Sequence, residues 1–248
     1  MKTLAQILSV ALLVASGSAA AKEAPKELSA WLRARIVLEA SGKLDTLQWM
    51  DAKPGDRTIT ARLEEVVRGW EFEPGSVNGV PAGTETGLTM RVIVKPNTEG
   101  GLAVHIGSAI TGAMSQSQTP PYYPANAARK GSQALLKVQL ETDGNGKVVS
   151  AKMTDYEGNS KSDSARRDFE VAALKAAMAW TFHPEQVGGK GQPASLRVPV
   201  SFCMSDWCAR KEAEHSAKSG SLADAPAGMP VALDSIVKIK TRTTEVDI

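Results

Sequence analysis

Apolar residues along this chain recur with two different periods, and the two alternate in the same order twice. In the first half, Arg35-Ile36-Val37-Leu38-Glu39 is a short run of β-branched and apolar residues that predicts a strand. Ala40-Ser41-Gly42-Lys43 supplies a turn, and Leu44 to Met50 reads as the returning strand. Lys53-Pro54-Gly55-Asp56 breaks the pattern. Ile59, Leu63, Val66, Val67 and Trp70 then fall on one stripe of a 3.6-residue helix. Pro74 and Gly75 stop that helix, Val77 to Pro81 reads as a loop, and Leu88 to Val94 as a strand.

The second half repeats the order. Leu135 to Leu140 predicts a strand, and Asp143-Gly144-Asn145-Gly146 a hairpin turn, because Asn and Gly accept positive φ at little cost. Lys147 to Thr154 returns, and Gly158 to Ser164 is a polar loop. A helix from about Ser164, capped by Asp163 or Ser164, carries Phe169, Ala173, Ala176 and Trp180 on one face. A Gly-rich loop and the strand Ser195 to Phe202 follow. At the end of each helix stands the same signature: Trp70-Glu71-Phe72-Glu73-Pro74 reappears as Trp180-Thr181-Phe182-His183-Pro184. Trp70, Phe72, Pro74, Trp180, Phe182 and Pro184 are read as a structural motif, with the aromatic rings closing a core where the helix ends and the prolines fixing the exit. The expected fold is α+β, two tandem small modules, each a three-stranded antiparallel sheet with one packed helix. Whether the two sheets join is open.

Between the modules, residues 97–119 are rich in Gly, Ser, Thr and Gln and read as a linker, with Leu102 to Ile106 as a candidate extra strand. After Phe202, Cys203 and Cys208 are close enough to bridge across Met204-Ser205-Asp206-Trp207. Such a small loop gains roughly 2 kcal/mol from chain entropy. Residues 205–248 are read as a disulfide loop and polar tail, with Ile236 to Thr244 alternating like a last edge strand.

Composition narrows the chemistry. A net charge of +2, with no long basic run, argues against nucleic acid as a partner. Three histidines, two cysteines read as bridged, and no G-x-S-x-G, H-E-x-x-H or P-loop pattern argue against an enzyme. We therefore expect no catalytic residue, no metal site and no small-molecule cofactor; an uncharacterised hydrolase is the weakest of the readings considered. At the N-terminus, Lys2, the apolar stretch Leu4 to Val14 and Ser18-Ala19-Ala20-Ala21 read as a signal peptide over residues 1–21. The rival reading is an uncleaved inner-membrane anchor, but polar residues interrupt the stretch and a spanning helix needs about 20 mostly apolar residues.

The second half resembles the C-terminal domain of the TonB family. The residues that carry the resemblance are Pro121-Tyr122-Tyr123-Pro124, the Ala-rich stretch Ala125 to Arg129, Gly131, Gly146-Lys147-Val148, Trp180 to Pro184, Gly191-Gln192-Pro193 and the strand Leu196 to Phe202. It covers residues 120–204. Residues 22–96 resemble the same domain as a divergent copy, through Gly42-Lys43-Leu44, Trp70 to Pro74 and Asn78-Gly79-Val80-Pro81, without the Tyr-Pro entry. The resemblance implies a periplasmic module in a Gram-negative envelope, energy-transducer-like and linked to transport across the outer membrane. TonB-type domains add a short extended peptide of an outer-membrane receptor to a sheet edge. Partner-binding residues carried over in this way are Tyr122, Tyr123, Pro124, Leu196, Val198 and Val200, and a homodimer is compatible with strand exchange. The partner expected is a periplasmic protein or peptide. The family's transducers carry an uncleaved anchor and a long Pro-rich spacer, so the fold carries over further than the transducing role. The alternative is an envelope structural or assembly protein whose modules pair internally and transduce no energy. Intact-mass measurement of the exported protein should give a mature chain starting near Ala21 or Lys22; Met1 retained in the membrane fraction would refute cleavage.

Overall fold

A computed structural model describes residues 28–50, 57–96, 102–219 and 225–247. The signal segment 1–21, the Lys53–Asp56 break and the first residues of the expected linker lie outside the described residues. The fold is α+β. The chain divides into two compact units, Met1–Thr111 with Val237–Ile248, and Gly112–Ile236.

The first unit opens with β1 (Leu28–Leu38) and β2 (Leu44–Trp49), followed by α1 (Arg57–Arg68) and the short β3 (Glu71–Glu73). A hairpin of β4 (Ser76–Val77) and β5 (Val80–Pro81) leads to β6 (Thr84–Pro96) and β7 (Leu102–Gly112). β1 is central. It pairs antiparallel with β2, and along its whole length with β6, from Leu28 opposite Val94 to Leu38 opposite Thr84. Alternation puts Leu32, Ala34, Ile36 and Leu38 on the buried face, with Leu88, Met90 and Val92 of β6. Ile59, Leu63 and Val67 of α1 cover them, and Trp70 and Phe72 close the end.

The second unit starts with β8 (Met114–Ser117) and α2 (Ala125–Arg129). β9 (Ala134–Thr142), β10 (Val148–Gly158) and α3 (Asp163–Ala177) follow, then β11 (Thr181–His183). A hairpin of β12 (Gln186–Val187) and β13 (Lys190–Gly191) precedes β14 (Ala194–Phe202), α4 (Trp207–Ser219) and β15 (Val231–Ala232). The sheet order is β10-β9-β14-β15. Ala165, Phe169, Ala173 and Ala177 of α3 pack on Leu136, Val138, Leu140, Leu196, Val198 and Val200, and Trp180 and Phe182 close this core. The chain ends with β16 (Lys238–Thr241) and β17 (Glu245–Asp247), both in the first unit.

The three-stranded, one-helix framework is present in each unit, and each sheet is wider than the sequence implies. Most described residues of the expected linker are strands, and β7 contains the expected strand Leu102 to Ile106. β7 pairs with β6, and Val104 and Ile106 are buried because alternation inside a Gly/Ser-rich stretch still builds one apolar face. β8 pairs with β11. The tail is likewise ordered where described: α4 is built from good helix formers, β16 pairs with β3, and β17 with β7. On α3, Asp163 is the first helical residue; Ser162 precedes it with no side-chain cap, and Ala177, not Ala176, is the fully buried alanine of the last turn.

The repeated signature has the same surroundings in both units. Trp70 and Trp180 each keep 3% of their surface. Each indole N–H donates to a backbone carbonyl, of Thr243 at 3.2 Å and of Thr119 at 2.8 Å. Each hairpin glycine lies against the carbonyl of the signature phenylalanine. A Cβ at Gly42 would sit 2.1 Å from Phe72 O, and one at Gly146 would sit 1.8 Å from Phe182 O. Both glycines have positive φ, 83° and 78°. Gly79 shares that conformation but faces open space. Gly146→Ala should therefore cost more than about 3 kcal/mol, while Gly79→Ala costs about 1 kcal/mol, the price of left-handed backbone alone. Urea unfolding checks this; equal costs would show that the close approach is unimportant.

Candidate functional site at the edge of the second sheet

The second sheet has two outer sides. β10 forms one. Its ladder with β9 is bulged at Val148/Ser150 and at Met153/Asp155, and it carries Lys152, Asp155 and Glu157. Bulges and charges are the usual defences of an exposed edge. α4 ties down its end. Lys211 and His215 reach Glu157 at 3.2 and 2.9 Å, and Ser201 Oγ donates to Glu212 at 3.1 Å. These exposed pairs orient the helix more than they stabilise it.

The other side is the outer edge of β14. β9 pairs with β14 along all nine residues, from Ala194 opposite Thr142 to Phe202 opposite Ala134. Backbone groups of Ser195, Arg197, Pro199 and Ser201 therefore point away from β9. The chain itself covers most of them. Leu233 N donates to Ser195 O at 2.9 Å, Ser195 N donates to Asp234 Oδ1 at 2.9 Å, and Gly228 N donates to Pro199 O at 2.8 Å. Arg197 stands opposite Val231 and Leu196 opposite Ala232 in an antiparallel ladder. The covering segment is anchored beyond the strand. Glu185, 2% exposed, accepts Ser235 Oγ at 2.9 Å and Ile236 N at 3.0 Å.

The sequence-derived contact residues divide sharply. Leu196, Val198 and Val200 point inward and are buried, so their side chains cannot meet a partner; the backbone of β14 and its half-exposed alternate residues can. Alternation dictates this, because the same face must cover α3. Tyr123 is a core residue. Its ring makes edge contacts with Phe169 and Phe202, with centroids 5.7 and 5.6 Å apart, and its hydroxyl donates to Ser132 O at 2.5 Å. Tyr122 is 91% exposed. With Pro124, Arg167, Asp168 and Val171 it borders an open groove of about 360 Å3. Cys203 and Cys208 are disulfide-bonded, and Gln133 Oε1 holds the loop by accepting from Met204 N and Ser205 N. Sequence reasoning missed Glu185, Val231, Ala232 and Asp234. The signal for them was the run Val231-Ala232-Leu233 between Pro230 and Asp234, a short apolar strand bracketed by breakers.

Residues 119–204 match the family model of the Gram-negative bacterial TonB protein C-terminal domain. Two relatives, both named Protein TonB, come from Xanthomonas campestris pv. campestris, strains B100 and ATCC 33913. Each is 32% identical over 90 residues, covering 36% of this chain and 37% of the relative. The chain thus spans little more than a third of the length of these curated relatives.

Burial raises the pKa of the Tyr123 hydroxyl above its ordinary 10.0. The folded state keeps that proton where the unfolded chain loses it. The contribution is intact below pH 10 and fades as pH climbs through the raised value. Tyr123→Phe should cost about 1 kcal/mol at neutral pH through loss of the Ser132 bond. It should also flatten part of the alkaline loss of stability; denaturation midpoints from pH 8 to 11 that fall equally in both proteins would contradict this.

Proposed function

We propose that this chain, whose residues 119–204 match the TonB C-terminal family model, is a non-enzymatic, envelope-associated protein-binding module that takes an extended partner segment along the outer edge of β14. The partner class is an outer-membrane receptor segment in the periplasm. The observation that carries the reading is β15 itself. The β14 edge receives a short antiparallel strand paired at Leu196 and Arg197, with Ser195 O accepting from Leu233 N and Pro199 O from Gly228 N of the turn before it. Such recognition needs few conserved side chains, since the ladder supplies the bonds and alternate residues supply selectivity. The match to TonB proteins supports the same class of partner.

A second reading is favoured by the same strand. Because the tail already covers this edge, the unit can serve as an internally paired structural or assembly element with no transducing role. The envelope location is part of the proposal. Among the described residues, no helix is long and apolar enough to cross a membrane.

The two readings differ in what a proline does. Arg197→Pro removes an N–H on the outer side of β14 and leaves the β9 side intact, and Pro199 already occupies an equivalent position. Capture of an outer-membrane transporter from envelope extract should fall at least about fivefold with Arg197→Pro. Val149→Pro, in the β10 bulge, should leave capture unchanged. Capture unaffected by Arg197→Pro, in a protein with native circular dichroism, rules out recognition at this edge.

A further inference from the structure

Residues 226–236 are held in a way unlike the rest of the sheet. Only Val231 and Ala232 form ladder pairs with β14. Pro226 and Pro230 offer no N–H, Leu233 is 41% exposed, and Gly228 has positive φ. At the next ladder position, where Ser195 N would ordinarily meet a backbone carbonyl, the carboxylate of Asp234 takes the bond instead. The fit at Ala232 is close. A Cβ placed on Gly112 would lie 2.3 Å from the Ala232 Cβ, so the half-buried Ala232 methyl rests directly on the Gly112 backbone. The segment is thus tied at its far end by the buried Glu185 and seated on the edge by one small residue and one acid.

We propose that residues 226–236 are a built-in stand-in for the partner strand. They keep the β14 edge closed until an extended segment of the same chemistry replaces them: a small residue at the position of Ala232 and a carboxylate two residues later, at that of Asp234. The proposal rests on β14 being the recognition edge, and it adds both a gate and a ligand pattern. A partner strand that also pairs with Ser201 makes a longer ladder than the two-residue strand it displaces. The chain's own segment has the advantage of being tethered, so exchange is governed by effective concentration.

The test uses the full chain and a labelled peptide with the sequence of residues 226–236. Ala232→Arg in the protein is designed to evict the segment by crowding its contact with Gly112 while leaving β14 unaltered. Amide exchange at Ser195 and Leu233 reports the eviction. Peptide binding should be at least tenfold tighter to Ala232→Arg than to wild type. A peptide carrying the Ala232→Arg change should not bind, and one carrying Asp234→Ala should bind more weakly. If Ala232→Arg does not fold, Leu233→Pro with Asp234→Ala removes the same bonds and serves in its place. Equal binding to wild type and to an evicted variant overturns the gate. No binding to either overturns the ligand pattern. In both cases, transporter capture that depends on Arg197 would leave the edge reading standing; loss of that dependence would remove the edge reading itself.

Discussion

In both units a hairpin glycine is pressed against the carbonyl of the phenylalanine that follows the helix. Most of the architecture depends on that approach. It fixes the first two strands relative to the end of the helix, since Gly42 belongs to the β1–β2 turn and Gly146 to the β9–β10 turn. Phe182 N donates back to Gly146 O at 2.8 Å, so the contact is also bonded. The tryptophan two residues earlier is then sealed in, with its N–H satisfied by a backbone carbonyl. Burying an indole without that partner would leave its N–H unsatisfied, at roughly 1–3 kcal/mol.

The carbonyls that satisfy the two indoles come from unlike places. Thr119 precedes its own unit's helix and sheet, whereas Thr243 returns to the first unit from the far end of the chain. The same holds for the short signature strands: β11 pairs with β8, and β3 with β16. Two copies of one framework therefore complete themselves with different extensions. Each extension meets the same physical need, namely partners for a backbone strand and an indole exposed where the helix ends.

This construction leaves the second sheet with two outer edges. β10 is bulged, charged and fastened by α4. β14 is straight, fully paired on one side and covered on the other by a strand only two residues long. Proline at position 199 already removes one donor from that outer side. That cover is tied by a few backbone bonds, Asp234 and the buried Glu185.

The α+β class, the strand–turn–strand–helix–loop–strand order and the role of Trp70, Phe72, Trp180 and Phe182 were all legible in the chain itself. They rest on local causes: periodicity, turn glycines and breakers act within a few residues. Segment ends were less so, as β1 begins well before Arg35 and α3 starts at Asp163. What tertiary structure alone decided was the fate of the stretches read as linker and tail, and with it the state of the candidate edge. Their composition is polar and Gly/Ser-rich, with only short alternating runs. Leu102 to Ile106 and the alternation from Ile236 to Thr244 did mark strands locally, and β7 and β16 fall there. Which strands they join, β6 and β3, and that β8 and β15 add to β11 and β14, comes from elements distant in sequence. For the same reason, Leu196, Val198 and Val200 looked like contacts from the motif, yet the fold turned their side chains inward and left the backbone and the alternate residues of β14 on the outside.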